Sequence, residues 1–333
     1  MKELIQGNQA IYLGAKKAGI SFYAGYPITP ASEIMHEFAK SDVKFIQAED
    51  EIASINLCIG ASLGGGKVMT ATSGPGFSLM QESIGYAHMA EVPMVIVDVQ
   101  RVGPSTGMPT IGAQQDVMQT RYGSHGDYFP IVFYPNSVEE CFKLTIDAFN
   151  AAERTMSPVV ILSDAYIAHL FETFDVESVE VDVINRERKP LGELSGQHFT
   201  GLLHESDGTL KTMDSDFYNK WIVEKKNNVD KVANDYDFYD YFENENSDTL
   251  LIGFGVVSRV LNSLKDKYAI FRPIRMFPVV EELKSIAEKY KKVVVVEMNS
   301  GQYKSVVSGV LGKEVEGVSI FGDVSKEVIL NKL

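Results

Sequence analysis

The first 165 or so residues alternate short β-branched and aromatic runs with longer stretches in which apolar residues recur every three or four positions. Runs at 20–24, 43–46, 68–71, 95–99, 131–134 and 159–162 read as strands. Helical spacing is carried between them by Ala10, Ile11, Leu13 and Ala15, by Ile34, Met35 and Phe38, by Ile52, Ile55, Cys58, Ile59 and Ser62, by a segment from Phe77, and by 137–153. Gly19 and the triplet Gly64-Gly65-Gly66 stand where helices should stop. This alternation predicts an α/β fold built on a doubly wound parallel sheet.

The pattern breaks from 178 to 247, where charges cluster, aromatics scatter and no period persists; 234–246 is acidic and tyrosine-rich. That stretch is expected to be a connector lying over the first domain. Strands return at 249–255, 269–275 and 293–297, with a helix over 280–290, as a smaller α/β domain. Gly253 and Gly255 read as a tight strand-to-helix turn, because no spaced third glycine opens a helix there. The expected division is 1–177, 178–247 and 248–333.

Composition narrows the function. The formal net charge of −14, from 31 basic and 45 acidic residues, argues against a general nucleic-acid or anionic-membrane surface. No apolar run approaches the roughly 18 residues of a membrane span, and the N-terminus has no signal-type core, so a cytoplasmic protein is expected. Cys58 and Cys141 are the only cysteines, too few for a four-thiolate cluster, and both lie in helical patterns where core packing is the ordinary role.

Candidate chemistry gathers at predicted strand ends, where open α/β sheets place their ligands. Glu49, Asp50 and Glu51 follow one strand and start a helix; as complements of the helix N-terminus each is worth about 0.3–1 kcal/mol, and as a cluster they also suit a site. The next strand runs into Thr72-Ser73-Gly74-Pro75-Gly76, a turn that brings backbone N–H groups close to a ligand. Gly25-Tyr26-Pro27-Ile28-Thr29-Pro30 forms a stiff elbow after the first strand. Arg101 ends another strand ahead of a long glycine- and proline-marked loop over 103–110, and suits bidentate capture of a carboxylate or phosphate, although elsewhere such an Arg serves a surface ion pair. The polar segment 112–127 holds Gln114, Gln115, Asp116 and His125; His125 is read as a hydrogen-bonded loop residue, not a catalytic one.

The hexapeptide at 25–30, Gln-Ala-Glu-Asp-Glu at 47–51, Ala-Thr-Ser-Gly-Pro-Gly-Phe-Ser-Leu-Met at 71–80 and Arg-Val-Gly-Pro-Ser-Thr-Gly-Met-Pro-Thr at 101–110 together resemble the pyrimidine-binding domain of thiamine diphosphate enzymes. Within that group they are most similar to the α subunit of 2-oxoacid:ferredoxin oxidoreductases. The resemblance runs through nearly all of the first 175 residues and thinly beyond, at 197–208 and at 297–302, where the chain resembles the transketolase C-terminal-type domain.

The resemblance implies that one carboxyl group bonds the cofactor's pyrimidine nitrogen. Counting nine positions back from Gly60 selects Glu51, with Glu49 next in line and Asp50 serving the helix end. It further implies that Pro27, Ser73 and Gly74 complete the cofactor-binding set and that Thr29 and Arg101 reach the carboxylate of a 2-oxoacid. The family's Gly-Asp-Gly motif for Mg²⁺ and diphosphate does not occur, so that half of the site, and any iron–sulfur cluster, is expected on a β subunit, with further γ/δ-type subunits, ferredoxin and coenzyme A as partners and no metal ligand in this chain. The implied reaction is oxidative decarboxylation of a 2-oxoacid to acyl-CoA, with 2-oxoglutarate favoured by the 103–110 loop. A branched-chain or pyruvate enzyme, a non-oxidative thiamine enzyme, and a scaffold subunit that lost its chemistry are the alternatives.

Overall fold

Strands whose residues are apolar on both faces need helices on both faces of their sheet. In the computed structural model, which describes residues 2–186, 189–193, 197–236 and 238–333, that requirement is met by one large and one small sheet. The first part of the chain runs β1 (Glu3–Gln6), α1 (Gly7–Lys17), β2 (Phe22–Gly25), α2 (Ser32–Ala39), β3 (Lys44–Gln47), α3 (Glu51–Leu63), β4 (Val68–Thr72), α4 (Gly74–Met89), β5 (Met94–Val102), β6 (Met108–Gly112), α5 (Val117–Tyr122), β7 (Ile131–Phe133), α6 (Val138–Thr155), β8 (Pro158–Asp164), α7 (Ala165–Ala168) and β9 (Phe171–Phe174). It continues with α8 (Ser215–Ala233), β10 (Tyr239–Phe242), β11 (Thr249–Ile252), α9 (Gly255–Leu261), β12 (Ala269–Pro273), β13 (Arg275–Phe277), α10 (Glu282–Ala287), β14 (Lys292–Glu297), α11 (Gln302–Leu311), β15 (Glu316–Ser319) and α12 (Lys326–Leu330).

The large sheet has the order β13-β7-β8-β5-β4-β2-β3, parallel from β7 to β3, so the doubly wound parallel sheet is observed. Its edge strand β13 is antiparallel to β7 and comes from the C-terminal part of the chain. The small sheet has the order β10-β12-β11-β14-β15, with only β10 antiparallel. Helices α1 and α6 lie close because position 14 is glycine: a Cβ there would come within 2.5 Å of the Phe142 carbonyl oxygen. Gly255 adopts φ +51° between β11 and α9, the tight turn expected of it.

Four elements differ from expectation. A short antiparallel ribbon joins β1 to β9. Helix α4 starts at Gly74 and not at Phe77, so the glycine turn is itself the first helical turn. The loop after Arg101 folds back as β6, antiparallel to the end of β5. The fourth is the expected connector over 178–247, parts of which (187–188, 194–196 and 237) lie outside the described residues; the rest is partly packed. Helix α8 buries Val229, Val232 and Ala233 in the core beside α1 and α6, and β10 edges the small sheet. Ahead of α8, Arg186 is buried against Glu153 at 2.8 Å and donates to the carbonyl of Ser62 at 2.9 Å, strapping the segment to α3 and α6.

The two sheets share a core: Phe77, Met80, Val132 and Leu162 pack in one cluster with Leu250, Phe254, Phe271 and Tyr303. Buried polar bonds cross the same boundary. Asp164 accepts from the Val256 N–H at 3.0 Å and from the Tyr134 hydroxyl at 3.2 Å, and Arg272 makes a bidentate pair with Glu140 at 2.7 Å. Cys58 and Cys141 are fully buried free thiols, as core residues should be. No described helix is long and apolar enough to cross a membrane.

Candidate active site

Strands β3, β2, β4 and β5 are adjacent and parallel, so their carboxyl ends open along one edge of the sheet. The three acids after β3 part company there. Asp50 caps α3, accepting from the Ala53 N–H at 2.7 Å. Glu49 is exposed. Glu51, the first residue of α3, is 5 % exposed. Burial pushes its carboxyl above the usual range; a backbone N–H opposes this, the Asp50 charge adds to it, and Arg101 opposes it.

Glu51 owes its place to Gly76 in the first turn of α4. A Cβ at position 76 would lie 2.4 Å from Glu51 Oε1 and 2.1 Å from Thr72 Oγ1. Ser73 stands in the N-cap position of α4 with its hydroxyl buried and unpartnered, and no acid occupies the first turn. No acid of its own first turn neutralises this positive helix end, and the carboxyl facing it comes from Asp116 on the loop after β6.

Arg101 is 8 % exposed, and its Nη1 donates to the Thr29 carbonyl oxygen at 2.7 Å, tying the end of β5 to the elbow after β2. Its Nε has no partner. Pro27 and the rest of Thr29 are exposed on that elbow. The Thr29 contact with Arg101 is through the backbone, which leaves the hydroxyl free. Gly74, Pro75, Ser78, Arg101, Gln115 and Asp116 line a cleft of about 520 Å³, closed on its far side by Asn299, Ser300 and Gln302.

The second domain thus completes the wall, and the segment after β14 holds it in register. The Met298 N–H donates to Gln114 Oε1 at 3.1 Å, the Gln114 N–H donates back to the Met298 carbonyl at 3.2 Å, and Gln302 Oε1 accepts from the Met118 N–H at 3.0 Å. Gln114 also donates to the Phe254 carbonyl at 2.9 Å. The fixed loop presents Asp116 to the cleft, and Asp98 of β5 lies buried behind it, the two carboxyls side by side.

Sequence reasoning placed Asp116 in a polar segment without a role and passed over Asp98. The available signal was an Asp in the middle of the run Val95-Ile96-Val97-Asp98-Val99, where a carboxyl must be buried. His125 is exposed and lines a separate cleft with Tyr86, His88 and Trp221. Among the described residues no group of three or more His, Cys, Asp or Glu is placed to hold a metal ion.

Residues 13–231 match the family described as pyruvate flavodoxin/ferredoxin oxidoreductase, thiamine diP-binding. The chain is 43% identical over 335 residues to the 2-oxoglutarate synthase subunit KorA of Archaeoglobus fulgidus, covering 97% of this chain and 95% of that one. It is 38% identical over 337 residues to the ketoisovalerate oxidoreductase subunit VorB of Methanothermobacter marburgensis, covering 96% and 93%. The solved 2-oxoglutarate:ferredoxin oxidoreductase from Magnetococcus marinus, with 2-oxoglutarate, coenzyme A and succinyl-CoA bound, matches at a TM-score of 0.91 and 31% identity over 99% of this chain, which spans 64% of that chain's length. A family match over most of the sequence, near-full-length identity to a named subunit and the same fold establish that this chain belongs to the thiamine diphosphate-binding family of pyruvate flavodoxin/ferredoxin oxidoreductases.

Proposed function

We propose that the chain is the α subunit of a 2-oxoacid:ferredoxin oxidoreductase that converts 2-oxoglutarate and coenzyme A to the acyl-CoA and CO₂, with the electrons passing to ferredoxin. The observation that carries this reading is a buried carboxyl, Glu51, after β3 within electrostatic reach of a clamped guanidinium, Arg101, at the end of β5 on the same edge of the sheet.

The residues present fit the pyrimidine half of thiamine diphosphate. Glu51, desolvated and with its carboxyl pushed above the usual range, is suited to hold a proton against a neutral ring nitrogen. The unpartnered Ser73 hydroxyl and the uncapped first turn at Gly74 offer donors to a polar ring, and the exposed Pro27 offers an apolar wall. When bound, the cofactor supplies the carbon that attacks the 2-oxoacid carbonyl and takes up the electrons released with CO₂.

Beyond the proton held by Glu51, the chain's part in catalysis is orientation. Arg101 and the Thr29 hydroxyl hold the substrate carboxylate, so that the carbonyl carbon is presented in one direction. The diphosphate, its Mg²⁺ and the iron–sulfur clusters are assigned to a β subunit, with further γ/δ-type subunits completing the complex. The 38% identity to a ketoisovalerate enzyme subunit favours a branched-chain 2-oxoacid as the second substrate reading.

The assembled complex, offered 2-oxoglutarate, pyruvate and 2-oxoisovalerate with coenzyme A, tests this through viologen reduction. Preference for 2-oxoglutarate by kcat/KM is the expected result. Preference for 2-oxoisovalerate would move the chain to the branched-chain reading, and no reduction with any 2-oxoacid would remove the enzymatic one.

A further inference from the structure

A pair of acids at the cleft, Asp116 in its lining and Asp98 buried behind it, has no role in the reaction as proposed. Asp98 is fully buried in β5, and neither of its carboxyl oxygens accepts a hydrogen bond from an N–H or O–H of another residue. Its polar neighbour is the carboxyl of Asp116, whose Oδ2 is likewise without an external donor. Carboxylates only accept, so two of them bond to each other only with a proton between them.

Asp116 also faces outward. Its backbone N–H is anchored on Gln100 Oε1 at 2.9 Å, and both carboxyl oxygens lie 3.0 Å from where a Cβ on Gly74 would be, against the first turn of α4. Arg101 and Asp116 are the two charged residues in the lining of the cleft. From the other elements packed around it, α4 offers backbone, the second domain offers Asn299, Ser300 and Gln302, and Glu51 of α3 acts on the same Arg101.

With Asp116 ionised, the two lining charges cancel and the carboxylate competes for Arg101. With Asp116 protonated, the cleft is left with the guanidinium alone. We propose that Asp98 and Asp116 are a proton-sharing positioning pair that sets the charge of the cleft, so that an anionic 2-oxoacid enters together with a proton. This rests on the reading of Arg101 as the ligand of the substrate carboxylate.

Burial pushes both carboxyls up, Asp98 well above the usual range and Asp116 to about 7, with the Asp98 bond and Arg101 pulling Asp116 down. Substrate affinity should therefore fall as pH rises past about 7. Uptake of one proton per anion means up to about tenfold per pH unit.

The test uses the assembled complex and glutarate, a dicarboxylate with no carbonyl to attack. Calorimetry at pH 7.5 in two buffers of different ionisation enthalpy counts the protons taken up on binding. The wild type is expected to take up a substantial fraction of one proton, and Asp116→Asn and Asp98→Asn close to none, with the pH dependence of KM for 2-oxoglutarate flattened in both. Either variant suffices should the other fail to assemble. Wild-type proton uptake in both variants, or in the one that assembles, would overturn the proposal. Arg101→Ala separates it from the reading beneath: if glutarate still binds that variant as tightly, the Arg101 assignment and the pair's role both fall. If binding is abolished there while the Asp variants keep full proton uptake, only the pair's role falls.

Discussion

Glu51 and Gly76 touch across the α3–α4 boundary, so closely that a single added carbon on Gly76 would sit 2.4 Å from the Glu51 carboxyl oxygen. The glycine turn after β4 thus serves the carboxyl as much as the backbone. Gly76→Ala is expected to destabilise the chain by about 1–3 kcal/mol through overpacking and to displace Glu51. Denaturant unfolding measures the first effect. Turnover of the assembled variant measures the second, and turnover at the wild-type level would mean that the close approach does not set the position of Glu51.

Arg101→Ala removes the 2.7 Å bond to the Thr29 carbonyl and the one cation lining the cleft. The expected result is a KM for the 2-oxoacid raised at least tenfold with cofactor content unchanged, because the guanidinium binds substrate and not cofactor. Arg101→Lys should restore little, since an ammonium cannot bridge the elbow carbonyl and a carboxylate with the guanidinium's planar fork. An unchanged KM with lowered cofactor content would place Arg101 against the cofactor instead.

How much of this was legible follows from where each signal resides. Strands β4, β5 and β8 announce themselves because nearly every residue is buried between two helical layers, which makes most of them apolar. Strand β6 does not, because Met108–Gly112 mixes exposed and half-buried positions with one buried glycine and is held by pairing Arg101 with Gly112 and Val102 with Met108. Helix α8 buries only Lys225, Val229, Val232 and Ala233 along its length, too narrow a stripe to show as a period. Glu51 could be reached by counting within one helix. The Asp98–Asp116 pair could not, because it joins a strand interior to a loop that the second domain holds in place through Gln114.

The same pair makes a prediction about stability. The folded-state pKa of Asp116 lies near 7, raised from an ordinary carboxyl value, so its contribution is fully present below the unfolded pKa, near 4, and is lost as pH rises through about 7. Asp116→Asn cannot ionise, and its amide donates to Asp98 in place of the shared proton. Relative to wild type, the variant should gain stability progressively between pH 5 and about 8, as read from denaturant midpoints across that range. A difference that stays flat with pH would show that Asp116 does not titrate there.

The sharpest separation concerns Glu51 and Glu49. If Glu51 only complements the helix N-terminus, Glu51→Gln should cost about 1 kcal/mol or less and leave turnover nearly intact. If it holds a proton against the pyrimidine ring, the same substitution should preserve fold and assembly yet slow deprotonation of the cofactor at C2 by orders of magnitude, since an amide cannot exchange that proton. Glu49→Gln is the control, and its exposure on the turn before α3 predicts little change in either property. Hydrogen–deuterium exchange at the cofactor C2 in the reconstituted complex reads the step directly, independent of substrate binding and of electron transfer. Slow exchange in Glu51→Gln beside wild-type exchange in Glu49→Gln is the expected pattern. The reverse would move the role to Glu49, and fast exchange in both would return all three acids to the helix end.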